Sequence, residues 1–389
     1  MRTAAIEYSP LEPFAKPAKP GQRPPRVFGA PSRYVQGAGV VDDAGHYLSR
    51  LGFRRSAVLA SPRSFGAEAD RVVASMGRAG LSVEPLSFGG ECSLQAIEGH
   101  ARTLQCAAKP VDGVVAVGGG KVVDAGRALA HRLGVPVAVI PSLASNDAPC
   151  AAVSVIYTPE GATADAEIYD ENPVLVLVDT AIIAAADRRY LVAGMGDAMA
   201  TWYEARATAA TPGGVSVFGG RPTLAATALA QLCAATLYRD GADALDALGR
   251  AEISDALENV VEANTLLSGL GYESGGIAAA HAVAQGFTLI ERVHNNCLHG
   301  EMVAMGVLAQ LLLEGDLAEA EKAAGFFAAV GLPVRLANIG IDPDNGQELG
   351  VVVAGAMAFP FLCNMPDPVT PERLLAAILA ADELGARIV

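Results

Sequence analysis

Two hydrophobic patterns divide this chain. Between residues 26 and 178, short apolar runs alternate with amphipathic stretches of helical length. The apolar runs are SAVLA (56–60), LSVEPL (81–86), GVVAV (113–117), VPVAVI (135–140), VSVIY (153–157) and VLVLVD (174–179). Continuous apolar runs bounded by helices are typical of parallel strands that are buried on both faces. The pattern therefore predicts βαβ units around a parallel sheet.

Strand patterns fade after residue 180, and the rest of the chain is rich in Ala, Leu and Glu. The predicted helices there cover residues 191–210, 222–239, 249–268, 275–290, 299–314, 316–330 and 372–385. A chain of 389 residues exceeds the size at which one hydrophobic core keeps growing. We therefore predict an α/β Rossmann-like N-terminal domain over residues 27–183 and an all-α C-terminal domain over residues 184–389, with the boundary near residues 179–187.

The first 26 residues differ from both domains. The first 35 residues contain seven prolines, and six basic residues against two acidic ones. Dense proline prevents helix formation and removes backbone donors, so we predict a flexible or surface-draped tail over residues 1–26. Docking of this tail on a neighbouring subunit is the alternative.

The composition and charge of the chain argue against some classes of binding partner. The net charge of −14 argues against nucleic acid or an anionic membrane surface. No apolar run reaches the length of a membrane span, and no N-terminal segment resembles a signal peptide, so we expect a cytoplasmic protein. The six cysteines are scattered without a CxxC pair and are expected to be reduced thiols; they lie at positions 92, 106, 150, 233, 297 and 363.

Two histidines are candidate metal ligands. His281 and His299 each belong to an apolar, helix-compatible stretch, and the polar connection ERVHNN separates those stretches. They either fill the core or face each other across a helix–helix turn, where neutral imidazole can bind a metal ion. Asp197 opens an apolar helical stretch and is either an N-cap or the third ligand. Glu301 is the rival carboxylate, but we expect it to support the first turn of its own helix.

A triple glycine follows the third apolar run, in GVVAVGGGKVVDAGRALA (113–130). These glycines either let the backbone approach a pyrophosphate at the N-terminus of the next helix or form a strand–helix turn. Asp124 either reaches a ribose or nicotinamide or only favours that helix terminus. The next strand ends in VIPSLASNDAPC, whose polar residues either bind a ligand or form a turn with an Asx cap; they are Ser142, Ser145, Asn146 and Asp147.

Seven segments together resemble bacterial glycerol dehydrogenases, which belong to the iron-type (group III) alcohol dehydrogenase superfamily with dehydroquinate synthase. The similar segments are FGAPSRYVQGAG, SFGGECS, VGGGKVVDAGRALA, PSLASNDAPCAAVSVIYTPEG, LVAGMGDAMATWYEARA, ESGGIAAAHAV and HGEMVAMG. They occur in order from about residue 27 to the C-terminus.

The resemblance implies an active site in the cleft between the two domains. Asp197, His281 and His299 would bind a catalytic Zn²⁺, and Asp147 would meet the substrate hydroxyls. The implied dinucleotide site consists of Ser61, Gly118, Gly119, Gly120, Lys121, Val122, Val123, Asp124, Ser142, Leu143, Ser145, Val153 and Tyr157. The implied assembly is a homo-oligomer, typically a ring-shaped octamer.

Departures from the family pattern concern the lining of the site. Valine follows Lys121 where threonine is usual, and Asn146 and Ala151 replace a threonine and a serine. The connection before His299 reads VHNNCL. Glycerol dehydrogenases usually carry Asp after the first strand, whereas this chain has Ser61, which removes a charge that would repel a 2′-phosphate. We therefore expect NAD as cofactor, with NADP also accepted.

The expected reaction is reversible, zinc-dependent oxidation of a small polyol or vicinal diol, with hydride transfer to NAD(P). His294 is a candidate for the outer end of a proton relay. One alternative is a cyclase similar to dehydroquinate synthase, but such an enzyme needs several basic residues in its cleft, and the stretches beside the ligands have few. The other alternative is a zinc-stabilised binding domain without catalysis, against which a three-ligand set with an open fourth position argues.

Overall fold

The computed structural model describes residues 13–16, 18–19, 22–159, 161 and 163–388. Its N-terminal half contains eight strands: β1 Tyr34–Gly37, β2 Arg55–Ala60, β3 Ser82–Ser87, β4 Gly113–Gly118, β5 Val137–Pro141, β6 Val153–Tyr157, β7 Thr163–Ile168 and β8 Leu175–Asp179. The helices between them are α1 Ala44–Arg50, α2 Glu68–Arg78, α3 Leu94–Gln105 and α4 Gly120–Leu133. Six of the strands form one sheet in the order β1-β8-β5-β4-β2-β3, and every neighbouring pair in it is parallel.

The inner strands of the sheet are buried on both faces, as their continuous apolar runs predict, whereas the edge strand β3 is largely exposed. In β4, Val114 and Ala116 pack into one hydrophobic cluster, whereas Val115 and Val117 pack into the other. Because successive side chains of a strand point to opposite faces, an uninterrupted apolar run fills two cores at once. The predicted parallel α/β class is therefore confirmed.

The order in which strands are added to the sheet reverses between β2 and β4, because β3 lies on one side of β2 and β4 lies on the other. β2 and β4 are neighbours, and Ala60 lies opposite Val117 in their register. Ser61, which follows β2, and Gly118, the last residue of β4, therefore lie side by side at the carboxyl edge of the sheet. In open α/β sheets, ligands bind in the crevice at such a reversal of strand order.

The strand VSVIY occupies β6 but does not join the parallel sheet, so this part of the prediction was wrong. It pairs antiparallel with β7, whose sequence TADAEI carries no apolar run, and the register shifts between Ile156 and Tyr157. Alternating burial along β6 shows that only one of its faces is covered. β1 and β7 were not predicted, because neither has a continuous apolar pattern.

The C-terminal half is helical, as predicted. Its helices are α5 Thr180–Ala184, α6 Arg188–Ala210, α7 Leu224–Gly249, α8 Asp255–Glu262, α9 Ser268–Gly275, α10 Ala279–Thr288, α11 Glu291–Asn296, α12 His299–Leu313, α13 Leu317–Val330, α14 Gly346–Met357 and α15 Pro371–Ile388. A π-helical turn, Ala263–Leu267, joins α8 to α9. Short 3₁₀ helices cover Val40–Asp43, Ala148–Cys150, Leu336–Ile339 and Leu362–Asn364.

Three details of the helical prediction were wrong. The predicted helix 249–268 begins too early, because α7 continues to Gly249 and Ser254 caps the separate helix α8 by accepting a hydrogen bond from the backbone of Leu257. The connection before His299 contains α11. α14 was also not predicted. Within the described ranges, no helix is both long enough and apolar enough to cross a bilayer.

Part of the predicted flexible tail lies outside the described residues, namely residues 1–12, 17, 20 and 21. Two of its described stretches contact the helical half. The backbone N–H of Ala15 donates to the carbonyl of Phe218 at 2.9 Å, and the Phe14 ring lies 6.5 Å from the ring of Phe218. Farther along, Arg221 donates from its side chain to the carbonyl of Pro24.

Candidate active site

Three helices of the C-terminal half approach one another unusually closely beside the sheet edge. A Cβ atom on Gly300 of α12 would lie 1.7 Å from the carbonyl oxygen of Ala193 in α6. A Cβ atom on Gly306 of the same helix would lie 2.1 Å from the carbonyl oxygen of Ala280 in α10. Only glycine fits at either contact. These contacts bring together the side chains that α6, α10 and α12 carry.

The three predicted ligands meet at this point. Asp197 on α6, His281 on α10 and His299 on α12 each offer one ligand atom, and the three atoms lie within 4.8 Å of one another. The Nε2 atoms of His281 and His299 lie 3.4 and 3.3 Å from Oδ1 of Asp197. We call these three residues the ligand cluster.

The ligand cluster fits a metal ion. Oδ1 of Asp197 is buried without a hydrogen-bond partner, a costly state for a charged oxygen unless a cation satisfies it. Nδ1 of His281 lies 2.6 Å from Oε2 of Glu204, and since a carboxylate only accepts, Nδ1 carries the proton. When the ring is neutral, Nε2 therefore presents a lone pair toward Asp197, as a metal-binding imidazole does.

The neighbouring charges in and around the ligand cluster shift the pKa values of its residues. Burial opposes the charged form of Asp197, but the two histidines hold the pKa of this carboxyl below its usual value. Burial likewise opposes protonation of His281, but Glu204 and Asp197 raise the pKa of its ring well above the ordinary range. In both cases a positive charge between the groups is favoured, and a proton or a metal ion supplies it.

The positions of Asp197 and Glu301 in their helices decide between the alternatives considered for each carboxylate. Asp197 lies in the middle of α6, which Asp187 caps, so the N-cap interpretation of Asp197 was wrong. Glu301 accepts a hydrogen bond from the backbone of Leu298 and pairs with Arg189, so it stabilises the first turn of α12 as predicted.

Asp147 lies beside the ligand cluster. Its backbone N–H donates to Oδ2 of Asp197 at 3.1 Å, and its own Oδ2 accepts from the hydroxyl of Ser268 at 3.1 Å. Burial, followed by the charge of Asp197, raises its pKa well above the ordinary value. The loop after β5 thus brings a second carboxylate to the helical half. Within the same loop, Oδ1 of Asn146 accepts from the backbone of Ala148, which is the Asx turn considered above.

The dinucleotide edge, which we define as Ser61 and residues 118–121, lies across the loop from the ligand cluster. A Cβ atom on Gly118 would lie 2.9 Å from Val122, and one on Gly120 would lie 2.9 Å from the side chain of Asn146. A Cβ atom on Gly119 would meet only Leu143, at 3.4 Å. Packing therefore requires glycine at position 118, whereas at position 120 only the end of the Asn146 side chain would have to move. The N-terminus of α4 follows directly, so its backbone N–H groups favour an anion at this edge.

The charged side chains near this edge are paired. Lys121 is half-exposed and bonds Glu91 at 2.6 Å, with its Nζ 5.7 Å from the ring centroid of Tyr157. Asp124 is buried and pairs with Arg127 at 2.5 Å. Burial raises the pKa of Asp124 to about 6 against the opposing effect of Arg127. Asp124 is therefore more than a charge at the helix terminus, since it anchors Arg127 inside the protein.

Ser61 follows β2 and accepts a hydrogen bond from the backbone N–H of Ser64 at 3.1 Å. The hydroxyl of Ser64 donates in turn to the buried carboxylate of Glu68 at 2.5 Å. Arg63 is exposed. Ser61, which replaces the usual Asp, is thus fixed in a turn, and two successive hydrogen bonds link it through Ser64 to the carboxylate of Glu68.

The other predicted cofactor residues lie around the same edge. Val122 and Val123 are buried in α4, Ser142 is buried after β5, and Leu143, Ser145, Val153 and Tyr157 are partly exposed. The backbone of Ser142 donates to the carbonyl of Gly118, which joins the two loops. His294 is occupied elsewhere, because its Nε2 lies 2.9 Å from the carbonyl oxygen of Gly161.

Sequence reasoning missed Glu204, which orients His281. Its Oε1 accepts from the backbone N–H groups of Ala278 and His281 while its Oε2 binds the His281 ring. Glu204 follows Asp197 by two helical turns, so both carboxylates lie on the same face of α6. An acidic pair at that spacing within an apolar helix was the available signal.

Comparison with known proteins agrees with this geometry. A family profile described as iron-containing alcohol dehydrogenase matches residues 31–180. The glycerol dehydrogenase of Escherichia coli O6:H1 is 45% identical over 367 residues, which cover 93% of this chain and 98% of that protein. The glycolaldehyde reductase of Halobacterium salinarum is 41% identical over 364 residues, with coverage of 93% and 98%.

Among solved structures, the glycerol dehydrogenase of Schizosaccharomyces pombe is 35% identical with a TM-score of 0.88, and the alignment covers 93% of this chain and 92% of that one. The resemblance drawn from the seven sequence segments is therefore confirmed. Because relatives of this identity align along almost its whole length, the chain belongs to the iron-containing alcohol dehydrogenase family and groups with the glycerol dehydrogenases.

Proposed function

We propose that this chain oxidises a small polyol or vicinal diol reversibly, with hydride transfer to a nicotinamide cofactor. One observation carries the proposal. A metal-competent ligand cluster and the second carboxylate of Asp147 meet on one side of a loop whose other side faces the triple glycine. An alcohol carbon held between them would lie within reach of a nicotinamide bound at the dinucleotide edge.

The residues of the chain have separate tasks in this proposal. Asp197, His281 and His299 bind the metal ion, and Glu204 fixes the His281 ring with its Nε2 lone pair toward that ion. Asp147 accepts a hydrogen bond from a second hydroxyl of the substrate. The metal, proposed to be Zn²⁺, supplies Lewis-acid polarisation of an alcohol oxygen. Imidazole and carboxylate ligands suit zinc well.

The cofactor is proposed to be NAD, with NADP also used. The triple glycine and the N-terminus of α4 would hold the pyrophosphate. The other predicted residues would line the remainder of the dinucleotide, from Ser61 at the adenosine end to Tyr157. Absence of an acidic side chain at position 61 supports acceptance of a 2′-phosphate.

Reduction of a small hydroxyaldehyde is a second candidate for the same site, because the relative from Halobacterium salinarum is named a glycolaldehyde reductase. A cyclase acting on a phosphorylated substrate is not favoured. Such an enzyme needs basic side chains for its substrate, but those near this site already have partners. Arg127 bonds Asp124 and two carbonyls of the loop, and Lys121 bonds Glu91. A non-catalytic zinc domain would leave the open dinucleotide edge unexplained.

The proposal is tested by following NAD(P)H absorbance with glycerol, 1,2-propanediol, dihydroxyacetone and glycolaldehyde, before and after removal of metal by a chelator. Metal-dependent turnover of a diol or its ketone supports the proposal. Turnover of glycolaldehyde alone would favour the second candidate. Stoichiometric zinc without turnover of any of these compounds would overturn the proposal.

The remaining expectations from the sequence are proposals of the same kind. We propose a domain division at residues 179–187, a cytoplasmic location and a homo-oligomer, for which the resemblance implies an octamer. Sedimentation velocity measures the assembly directly.

A further inference from the structure

The loop that carries Asp147 is held by one continuous segment of the helical half, residues 264–273. At the start of the loop, the side-chain amide of Asn264 donates to the carbonyls of Ala144 and Leu191 at 3.0 and 3.1 Å. Asn264 belongs to the π-helical turn, and such turns frequently occur at functional sites. At the end of the loop, the carboxylate of Glu273 accepts from the backbone N–H of Ala152.

The middle of the loop lies directly against the same segment. A Cβ atom on Gly269 would lie 3.0 Å from the carbonyl oxygen of Asp147 and 3.0 Å from Cβ of Cys150. A side chain at position 269 would push these neighbours apart by a few tenths of an ångström, so glycine favours the close approach. The segment 264–273 therefore helps to set the position of Asp147, together with Asp197, which accepts from its backbone, and Arg127, which bonds the carbonyls that follow.

A chain of two hydroxyls ends on Asp147. The hydroxyl of Ser268 lies 3.1 Å from Oδ2 of Asp147, and the hydroxyl of Thr201 lies 2.7 Å from that of Ser268. A carboxylate only accepts, so Ser268 donates to Asp147, and Thr201 must donate to Ser268. All three residues are buried. Because one carboxylate oxygen is occupied in this way, the other, Oδ1, remains for a donor from outside the protein.

We propose that Ser268 is a positioning residue, which turns Oδ1 of Asp147 toward the second hydroxyl of the polyol. The inference rests on the proposed function, since it assumes that Asp147 binds the substrate. It adds that recognition of the second hydroxyl depends on a residue of α9 that does not touch the substrate. Thr201 acts one step farther away, by holding the Ser268 hydroxyl in its donating orientation.

The test compares Ser268→Ala with wild type, using glycerol and NAD. The KM for glycerol should rise about tenfold, as expected for loss of one hydrogen bond to a charged group. The KM for NAD and the zinc content should stay unchanged, and kcat should fall much less than the KM rises. Thr201→Val should shift the KM for glycerol in the same direction by about threefold, since it weakens a bond between neutral groups.

A double-mutant cycle separates positioning from general damage. Introduced into Asp147→Asn, Ser268→Ala should raise the KM for glycerol by less than about twofold, because residues acting through one group are not additive. The matched control is Thr265→Val, which removes another buried hydroxyl from the π-helical turn, where it bonds the hydroxyl of Tyr34 and the carbonyl of Val261. It should leave the KM for glycerol unchanged. Thermal melting of every variant shows whether it folds.

An equal KM rise from Ser268→Ala in both backgrounds, or the same rise from Thr265→Val, would overturn the inference and leave the proposed function intact. If Ser268→Ala fails to fold, Thr201→Val in the same cycle decides the question. A wild type that oxidises no polyol overturns the proposed function, and the inference falls with it.

Discussion

The ligand cluster and the dinucleotide edge face the same loop but are built in opposite ways. In the ligand cluster, side chains from three helices converge, from the completely buried Asp197 to the exposed His299. At the dinucleotide edge, the backbone of three glycines and a helix terminus form the surface, and the Lys121 side chain is 53% exposed. A site made of side chains fails when one of them changes, whereas a site made of backbone tolerates substitution around it. The predictions below test this contrast, beginning with the largest expected effect.

Replacing any member of the ligand cluster by alanine should abolish turnover and bound metal while the fold persists. Loss of a direct ligand should exceed the roughly 10- to 100-fold loss of metal affinity that follows removal of an orienting partner. Metal analysis of purified His281→Ala, together with its rate of glycerol oxidation, measures both effects. Glu301→Gln is the matched control, because that carboxylate lies near the cluster but only caps α12. Full metal content and normal turnover in His281→Ala would show that the site is misassigned.

Glu204→Gln should weaken metal binding by roughly 10- to 100-fold through the His281 ring. The backbone donors of Ala278 and His281 can still bond the glutamine oxygen. The glutamine NH₂ would then face Nδ1, which must give up its proton to accept, and Nε2 would become protonated and lose its lone pair. Competition with a chelator measures the affinity. Glu314→Gln, another partly buried glutamate of the helical half, should leave it unchanged.

Asp147→Asn should raise the KM for the polyol by about tenfold or somewhat more, the range for a hydrogen bond to a charged group. Dinucleotide affinity should remain nearly constant, since the Asp147 side chain bonds Ser268 of the helical half. Substrate titrations at saturating NAD, and fluorescence titration of NADH, measure the two quantities separately. Equal losses in both would instead assign Asp147 to the cofactor side.

The sequence predicted those parts of the two sites that residue type or a local pattern reveals, and not those that depend on the packing of distant elements. Asp197, His281 and His299 were recognisable by residue type, and the triple glycine by its position after a buried strand. The spacing of Glu204 from Asp197 marked it as a second carboxylate on the same face of α6, but its role depends on the approach of α10 to α6, which that spacing does not encode. The start of the predicted helix 249–268 was wrong because α7 continues to Gly249 and Ser254 caps a new helix only at α8, whereas the apolar pattern does not mark the turn between them.

The smallest effect is expected at the dinucleotide edge. Ser61→Asp should raise the preference for NAD over NADP, measured as the ratio of the two kcat/KM values, by roughly tenfold. An acidic side chain there would accept hydrogen bonds from the ribose and repel a 2′-phosphate. Wild type should use both cofactors. Arg63→Ala should lower kcat/KM for NADP and leave that for NAD unchanged, if the exposed guanidinium binds the phosphate.

Two opposite charges bear on this last prediction, the carboxylate of Glu68 and the guanidinium of Arg63. The buried carboxylate of Glu68 accepts from Ser64, whose backbone donates to Ser61, so a negative charge already lies near the position of the missing Asp. If that charge acts on the 2′-phosphate, Glu68→Gln should raise kcat/KM for NADP, and wild type should prefer NAD. If Ser61 and Arg63 dominate, Glu68→Gln should change little. A strong wild-type preference for NAD that neither Ser61→Asp nor Glu68→Gln alters would show that selectivity lies outside this turn. The dinucleotide edge would then tolerate a change of charge at its adenosine end, as a site built from backbone should.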